Sequence, residues 1–249
     1  MISYYMHGKY KQHKLPCEDS LTATLFDNLK HLPDVRLYKI LNNSLLGGQM
    51  PEESGKLLYI SFWEKWSAKN TGNSNYVEPD VFLRFEEFDI IIEAKKNDST
   101  DIFDAQIANE LMAYFNEYRD DKKKLFFIPI GQYQPNVFDK ARLHESYKDD
   151  EFDIRKTNWK AILENVAIEK EKEESPEHEK RILNDIIQGF ELHQFFRKKW
   201  LKDLCTFKIE KETFGAFLYT KEQRLNTTLA NLKADSLLIS QFNYFKFGK

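Results

Sequence analysis

Cysteine is almost missing from this chain. The two present, Cys17 and Cys205, lie far apart and without metal-ligand spacing. That leaves no disulfide framework and no thiolate zinc cluster to organise a fold, and it reads as reduced thiols in a cytosolic protein. Long apolar runs are missing too, and none approaches the length that spans a bilayer. The opening stretch, MISYYMHGKYKQHKLP, lacks the apolar centre of a secretory leader. A cytoplasmic protein with no membrane association is therefore expected. Nor is there a strong charge of one sign: 37 Lys and Arg stand against 40 Asp and Glu, a net charge of −3. A strongly basic chain would have pointed to nucleic acid by itself. A near-balanced one confines any such binding to a local basic groove, or leaves affinity to a partner. No nucleotide-binding glycine loop, zinc cluster, helicase motif or internal repeat occurs.

Aromatic residues, by contrast, are plentiful. They make up 14% of the 249 residues, with 20 Phe and 12 Tyr. Together with 41% hydrophobic residues, that is ample for a core and argues against wholesale disorder. The length suits one large domain, or one domain with an appendage.

The N-terminal arm interleaves Tyr4, Tyr5 and Tyr10 with Lys9, Lys11, His13 and Lys14. Such a mixture can grip a nucleic-acid backbone and stack bases; the plainer expectation is an arm packed on the body. Leu21, Leu25, Leu29 and Leu32 recur at helical spacing, with Asp19 or Ser20 as cap and Pro33 as terminator. Val35 to Leu46 reads as a short strand, and Leu57 to Trp66 as a longer one. A polar loop, SAKNTGNSN, follows. Ile102 to Tyr118 carries a helical apolar stripe, and Leu125 to Gly131 reads as a buried strand. Farther on come a helix over Trp159 to Lys172, a charge run over Glu169 to Glu179 that reads as a solvated linker or helix extension, and a long helix from Arg181 to Leu204. A hairpin over Thr206 to Tyr219 and a helix over Asn226 to Leu238 close the chain.

The informative stretch is Tyr76 to Lys96, YVEPDVFLRFEEFDIIIEAKK. Val81, Leu83 and Phe85 alternate with Phe82, Arg84 and Glu86, which is the spacing of a strand. Phe88 to Ile92 is an apolar run of the kind found in a central strand. A polar turn at Glu86-Glu87 makes the two a hairpin, bringing Asp80 opposite Glu93. Alternation puts Glu93 and Lys95 on one face. Two carboxylates and a lysine at the lip of a sheet suit a hydrolytic site built on a hard divalent cation, which takes oxygen ligands and makes hydroxide available.

Pro79-Asp80, then an apolar strand, then Glu93-Ala94-Lys95, resembles the signature of the PD-(D/E)XK nuclease superfamily, the restriction-endonuclease-like fold. The order of elements over residues 15 to 131 is similar to its αβββαβ core. The resemblance implies an α/β (α+β) fold with a mixed central sheet: a nuclease core with the N-terminal arm over 1–135, and a mostly helical region over 136–249 packed on or appended to it. It implies a Mg²⁺-dependent DNA endonuclease, Mn²⁺ substituting. Asp80, Glu93 and the Ala94 carbonyl would hold the metal, and Lys95 would activate water. Gln106, on the helix after the strand, would orient water or a phosphate. Glu18, with Asp19 as the other candidate, would add a metal contact; the plainer reading is a helix cap and a favourable helix-dipole charge. The EDSLTATLF opening and the helical C-terminal region look like nuclease subunits of bacterial antiphage defence, which implies a helicase or ATPase partner, with a homo-oligomer also compatible. Two alternatives use the same residues: a catalytically silent nuclease-fold scaffold or binding subunit, and an RNA-cleaving nuclease.

Overall fold

In the computed structural model, residues 1–197 make one compact unit, described over 2–11, 16–96, 104–131 and 152–197. The elements are α1 (Ile2–Met6), α2 (Glu18–Leu29), α3 (Asp34–Asn43), β1 (Leu57–Phe62), β2 (Trp66–Ser67), β3 (Tyr76–Val77), β4 (Val81–Phe85) and β5 (Phe88–Ala94). After them come α4 (Asp104–Tyr118), β6 (Lys124–Ile130), β7 (Phe152–Ile154), α5 (Trp159–Glu171) and α6 (Glu177–Leu192). The chain is an α/β protein, as its strand and helix spacing predicts.

The main sheet has five strands in the order β1-β4-β5-β6-β7. β4 pairs antiparallel with both β1 and β5, while β5–β6 and β6–β7 are parallel, so the sheet is mixed. Side-chain alternation sorts each strand onto two cores. Val81, Leu83, Phe85, Ile90 and Ile92 join the larger one with α2, α3, α5 and α6. Phe82, Ile91, Leu125 and Phe127 join the smaller one with α4, Trp66 and Val77. With helices on both faces, every residue of β5 is buried, which suits its apolar positions Phe88 and Ile90 to Ile92; the buried Asp89 accepts from the Tyr114 hydroxyl at 2.9 Å.

The structure corrects several expectations. Val35 to Leu46 is mostly helix α3, not strand. Pro33 sits at its N-cap, and Leu37, Tyr38, Ile40 and Leu41 bury one face at helical spacing. Cys17 takes the N-cap position of α2 in place of Asp19 or Ser20, and Ser20 instead accepts a hydrogen bond from the Cys17 N–H at 3.0 Å. α2 stops at Leu29, short of Pro33. The expected strand Leu57 to Trp66 breaks after Phe62, because Trp63 adopts a left-handed φ of 48°. The charge run is not fully solvated: Glu169 and Glu179 are buried. Arg36 of α3 inserts between them, with Nη1 2.9 Å from Glu179 Oε2 and donating to Ser175 Oγ at 2.8 Å. Within the region expected over 136–249, α5 and α6 pack on the larger core. The helix expected from Arg181 to Leu204 runs from Glu177 to Leu192. Ile102, Asn136 to Asp150, Cys205 and everything predicted beyond residue 197 lie outside the described residues.

The described part of the N-terminal arm, 2–11, packs on the body; His13 and Lys14 lie outside the described residues. Tyr4 is fully buried, and Ser3 donates to Asp27 through its N–H at 2.8 Å and its hydroxyl at 2.5 Å. No described helix is long and apolar enough to cross a membrane.

α2 and α6 approach each other closely at Gly189. A Cβ placed at Gly189 would stand 2.1 Å from Thr24 Cγ2. Thr24 cannot turn away freely, because its hydroxyl donates to the Ser20 carbonyl at 2.7 Å. Gly189→Ala is therefore expected to cost about 1–3 kcal/mol by overpacking, despite alanine's better helix propensity. In a Thr24→Ser background, which removes Cγ2, the same change is expected to stabilise. Chemical denaturation of the four proteins checks this, and equal losses in both backgrounds would contradict it.

Candidate functional site

The site is assembled where the β4–β5 hairpin opens. Val81 pairs with Ile92 and Phe82 with Ile91, so the residue before β4 meets the end of β5. Asp80 Oδ2 accepts the Ala94 N–H at 2.8 Å, fastening the PD turn to the EAK strand end. Asp80 Oδ1 accepts the indole N–H of Trp63 at 2.9 Å. The Trp63 backbone N–H donates to the Asp80 carbonyl at 3.2 Å. These two bonds explain the break after β1. A left-handed tryptophan is strained, and such strain persists where the surroundings impose it. Trp63 is buried in the larger core, and it also aims Asp80.

Glu93 shares the β5 face of Ile91, toward α4. Its Oε1 accepts from Lys95 Nζ at 2.8 Å and from Gln106 Nε2 at 2.5 Å. Lys95 Nζ also reaches Glu18 Oε1 at 3.3 Å, while Glu18 Oε2 accepts the Lys96 N–H at 2.8 Å. The structure thus brings Asp80, Glu93, Lys95, Gln106 and Glu18 into one connected cluster. Asp19 has no described part in it. Trp159 Nε1 donates to the Lys95 carbonyl at 2.8 Å, and the Lys95 N–H donates to Ile130 at 2.8 Å. The lysine backbone is thereby held from both sides while its side chain is left to the carboxylates.

Glu110, one helical turn beyond Gln106, escapes sequence reasoning. It is 2% exposed. Its Oε1 accepts from Gln106 Nε2 at 3.2 Å, so one amide bridges Glu93 and Glu110. Its Oε2 is buried without a hydrogen-bond partner. The signal was available: a residue four positions after Gln106 lies on the same helix face.

The electrostatics follow from burial. Asp80 is pushed well above the usual carboxylate range by burial and then by the Glu93 charge, against the pull of the Ala94 N–H. Glu93 is raised by burial, opposed by Lys95 and Gln106. Glu110 is raised well above its usual range by burial, then by Glu93 and Asp80. Burial alone would lower Lys95, but Glu93 and then Glu18 outweigh it and hold the ammonium above the ordinary lysine range.

Among the described residues, no group of three or more His, Cys, Asp and Glu side chains is arranged to hold a metal ion, and the Gln106 amide stands between two of the acids. The donor chemistry nevertheless fits a hard cation. The cluster offers carboxylate oxygens, the groups facing them are N–H donors and an ammonium, and the buried Glu110 Oε2 has no partner.

An uncharacterized protein of Pasteurella multocida (strain Pm70) is similar to this chain. It is 29% identical over 230 residues, covering 82% of this chain and 85% of the relative. No family model matches the chain. No solved structure matches it either.

The burial of these carboxylates makes a prediction about pH. A group whose folded pKa is raised stabilises the fold fully below its unfolded pKa, and that contribution is lost as pH rises through the folded pKa. In chelator, Glu110→Gln removes one such group. Its stability relative to the wild type is expected to grow as pH rises from about 5 to about 8. Thermal melts across that range check it, and a gap that stays constant or shrinks would contradict it.

Proposed function

We propose that this chain is a metal-dependent phosphodiesterase of PD-(D/E)XK type, cutting DNA internally. The observation that carries the reading is the meeting of the two halves of the motif: Asp80 bonded to the Ala94 N–H, and Lys95 Nζ 2.8 Å from Glu93 Oε1. Asp80, Glu93 and the Ala94 carbonyl would hold Mg²⁺, with Mn²⁺ substituting and Glu18 alongside. When bound, such a cation supplies charge neutralisation at the phosphate and a more acidic water.

The chain's own residues then have defined work. Lys95, kept protonated by its two carboxylates, is a hydrogen-bond donor to the attacking water or to a non-bridging phosphate oxygen as negative charge builds there. Gln106 is a neutral amide that can hold a water or phosphate without adding charge. The indole of Trp63 and the Ala94 N–H keep Asp80 in one rotamer, so no reorganisation is needed at the moment of reaction. Water oxygen attacks phosphorus, the phosphorus–O3′ bond breaks, and a 5′-phosphate and a 3′-hydroxyl result. The near-balanced net charge leaves room for a helicase or ATPase partner that delivers DNA, as the resemblance to nuclease subunits of bacterial antiphage defence implies. RNA cleavage would use the same groups. A silent scaffold would have no use for a lysine held between two carboxylates at the end of a buried strand.

Plasmid nicking by the purified protein in Mg²⁺ or Mn²⁺ tests this. Asp80→Ala, Glu93→Ala and Lys95→Ala are each expected to lower cleavage at least about 100-fold, the scale of losing one electrostatic or positioning group. Trp63→Phe, which keeps the ring and removes the N–H, is expected to lower it less. Cleavage that survives Asp80→Ala and Glu93→Ala unchanged would refute the assignment.

A further inference from the structure

We infer that the N-terminal arm is a docking surface for unpaired DNA, with the Tyr5 and Tyr10 rings stacking on bases and Lys11 meeting a phosphate beside the cleavage site. The inference rests on the reading of Asp80, Glu93 and Lys95 as a site that cuts DNA, and it names the form of DNA. Charge distribution leads to it. The chain as a whole carries a net charge of −3, yet its first 17 residues hold Lys9, Lys11 and Lys14 and neither Asp nor Glu. A segment of one sign in a near-balanced chain is a local footprint for a polyanion.

The fold lays this segment against both halves of the motif. Lys9 Nζ lies 2.6 Å from Glu78 Oε1, just ahead of Pro79-Asp80, and 5.1 Å from the centre of the Trp63 ring. The His7 ring meets the same indole edge-on at 5.7 Å, and that indole donates to Asp80. At the other end of the arm, the Pro16 carbonyl accepts from Lys96 Nζ at 3.1 Å, and Glu18 Oε1 lies 3.3 Å from Lys95 Nζ.

Packing occupies only some of the arm's side chains. Ser3 and Tyr4 bind the body, and Glu78 holds Lys9. Tyr5 and Tyr10 join neither core and are 52% and 46% exposed. Their ring centres lie 5.4 Å apart, and the buried Tyr4 braces Tyr5 edge-on at 5.5 Å. The exposed Lys11 Nζ sits 5.8 Å from the centre of the Tyr10 ring. Aromatic faces held in place beside a cation suit a single strand, in which every base has a face to stack and a phosphate follows each one. A duplex hides its base faces and offers the arm charge alone.

Fluorescence anisotropy in chelator tests the inference without cleavage. A labelled single strand of DNA, the duplex of the same sequence and the matching RNA strand are titrated with the wild type, Tyr5→Ala/Tyr10→Ala, Tyr5→Phe/Tyr10→Phe and Lys11→Glu, each with its melting temperature measured. The wild type is expected to bind the DNA single strand more tightly than the duplex. The alanine pair is expected to weaken single-strand binding at least about tenfold, the scale of losing base stacking, with duplex binding little changed. The phenylalanine pair is expected to keep it, and Lys11→Glu, a change at an exposed position, to weaken it. Unchanged single-strand affinity in the alanine pair and in Lys11→Glu, no DNA binding by the wild type, or tighter binding of the RNA would each overturn the inference. Plasmid nicking in Mg²⁺ separates it from the nuclease assignment. Asp80-dependent nicking by a protein whose binding ignores Tyr5, Tyr10 and Lys11 removes the arm alone. Single-strand binding that depends on those residues, in a protein whose nicking survives Asp80→Ala, removes the assignment of the site alone.

Discussion

One backbone-to-carboxylate contact governs the candidate site, the bond from the Ala94 N–H to Asp80. It exists because β4 and β5 pair in a single register, Val81 with Ile92. A slip by one residue would turn Glu93 toward the larger apolar core and away from α4. Burial on both faces of the sheet forbids that slip. The packing that stabilises the fold is therefore the same constraint that sets the distance between the two halves of the motif. Trp63 adds to it by giving up a regular strand conformation so that its indole and its backbone both reach Asp80.

Much of this was legible in the sequence, for physical reasons. Alternation in a strand is strict, so Val81 to Phe85 and Phe88 to Ile92 declare their faces, and with them those of Glu93 and Lys95. Gln106 and Glu18 came from the resemblance rather than from spacing. What escaped notice depends on long-range packing. Trp63 looks like any aromatic at the end of a strand, since nothing local demands a left-handed tryptophan. Glu110 resembles an ordinary helix acid until the fold buries it against the strand. Glu169 and Glu179 sit in a run of charges that suggests solvent, yet Arg36 draws both inward from more than a hundred residues away. Val35 to Leu46 was misjudged for a different reason. A short apolar run offers both strand and helix spacing, and only the packing of Leu37, Tyr38, Ile40 and Leu41 against the larger core decides for helix.

The cluster also illustrates how stability and chemistry conflict. Buried carboxylates that raise one another's pKa weaken a fold at neutral pH unless positive charge meets them. Lys95 meets part of that charge, and N–H donors meet more.

Anomalous diffraction from crystals grown with Mn²⁺ tests the central claim most directly. The account predicts a peak beside the carboxylates of Asp80 and Glu93, at the open end of the β4–β5 hairpin. A map with no peak there, from protein at saturating Mn²⁺, would show that the cluster is structural and would contradict the account.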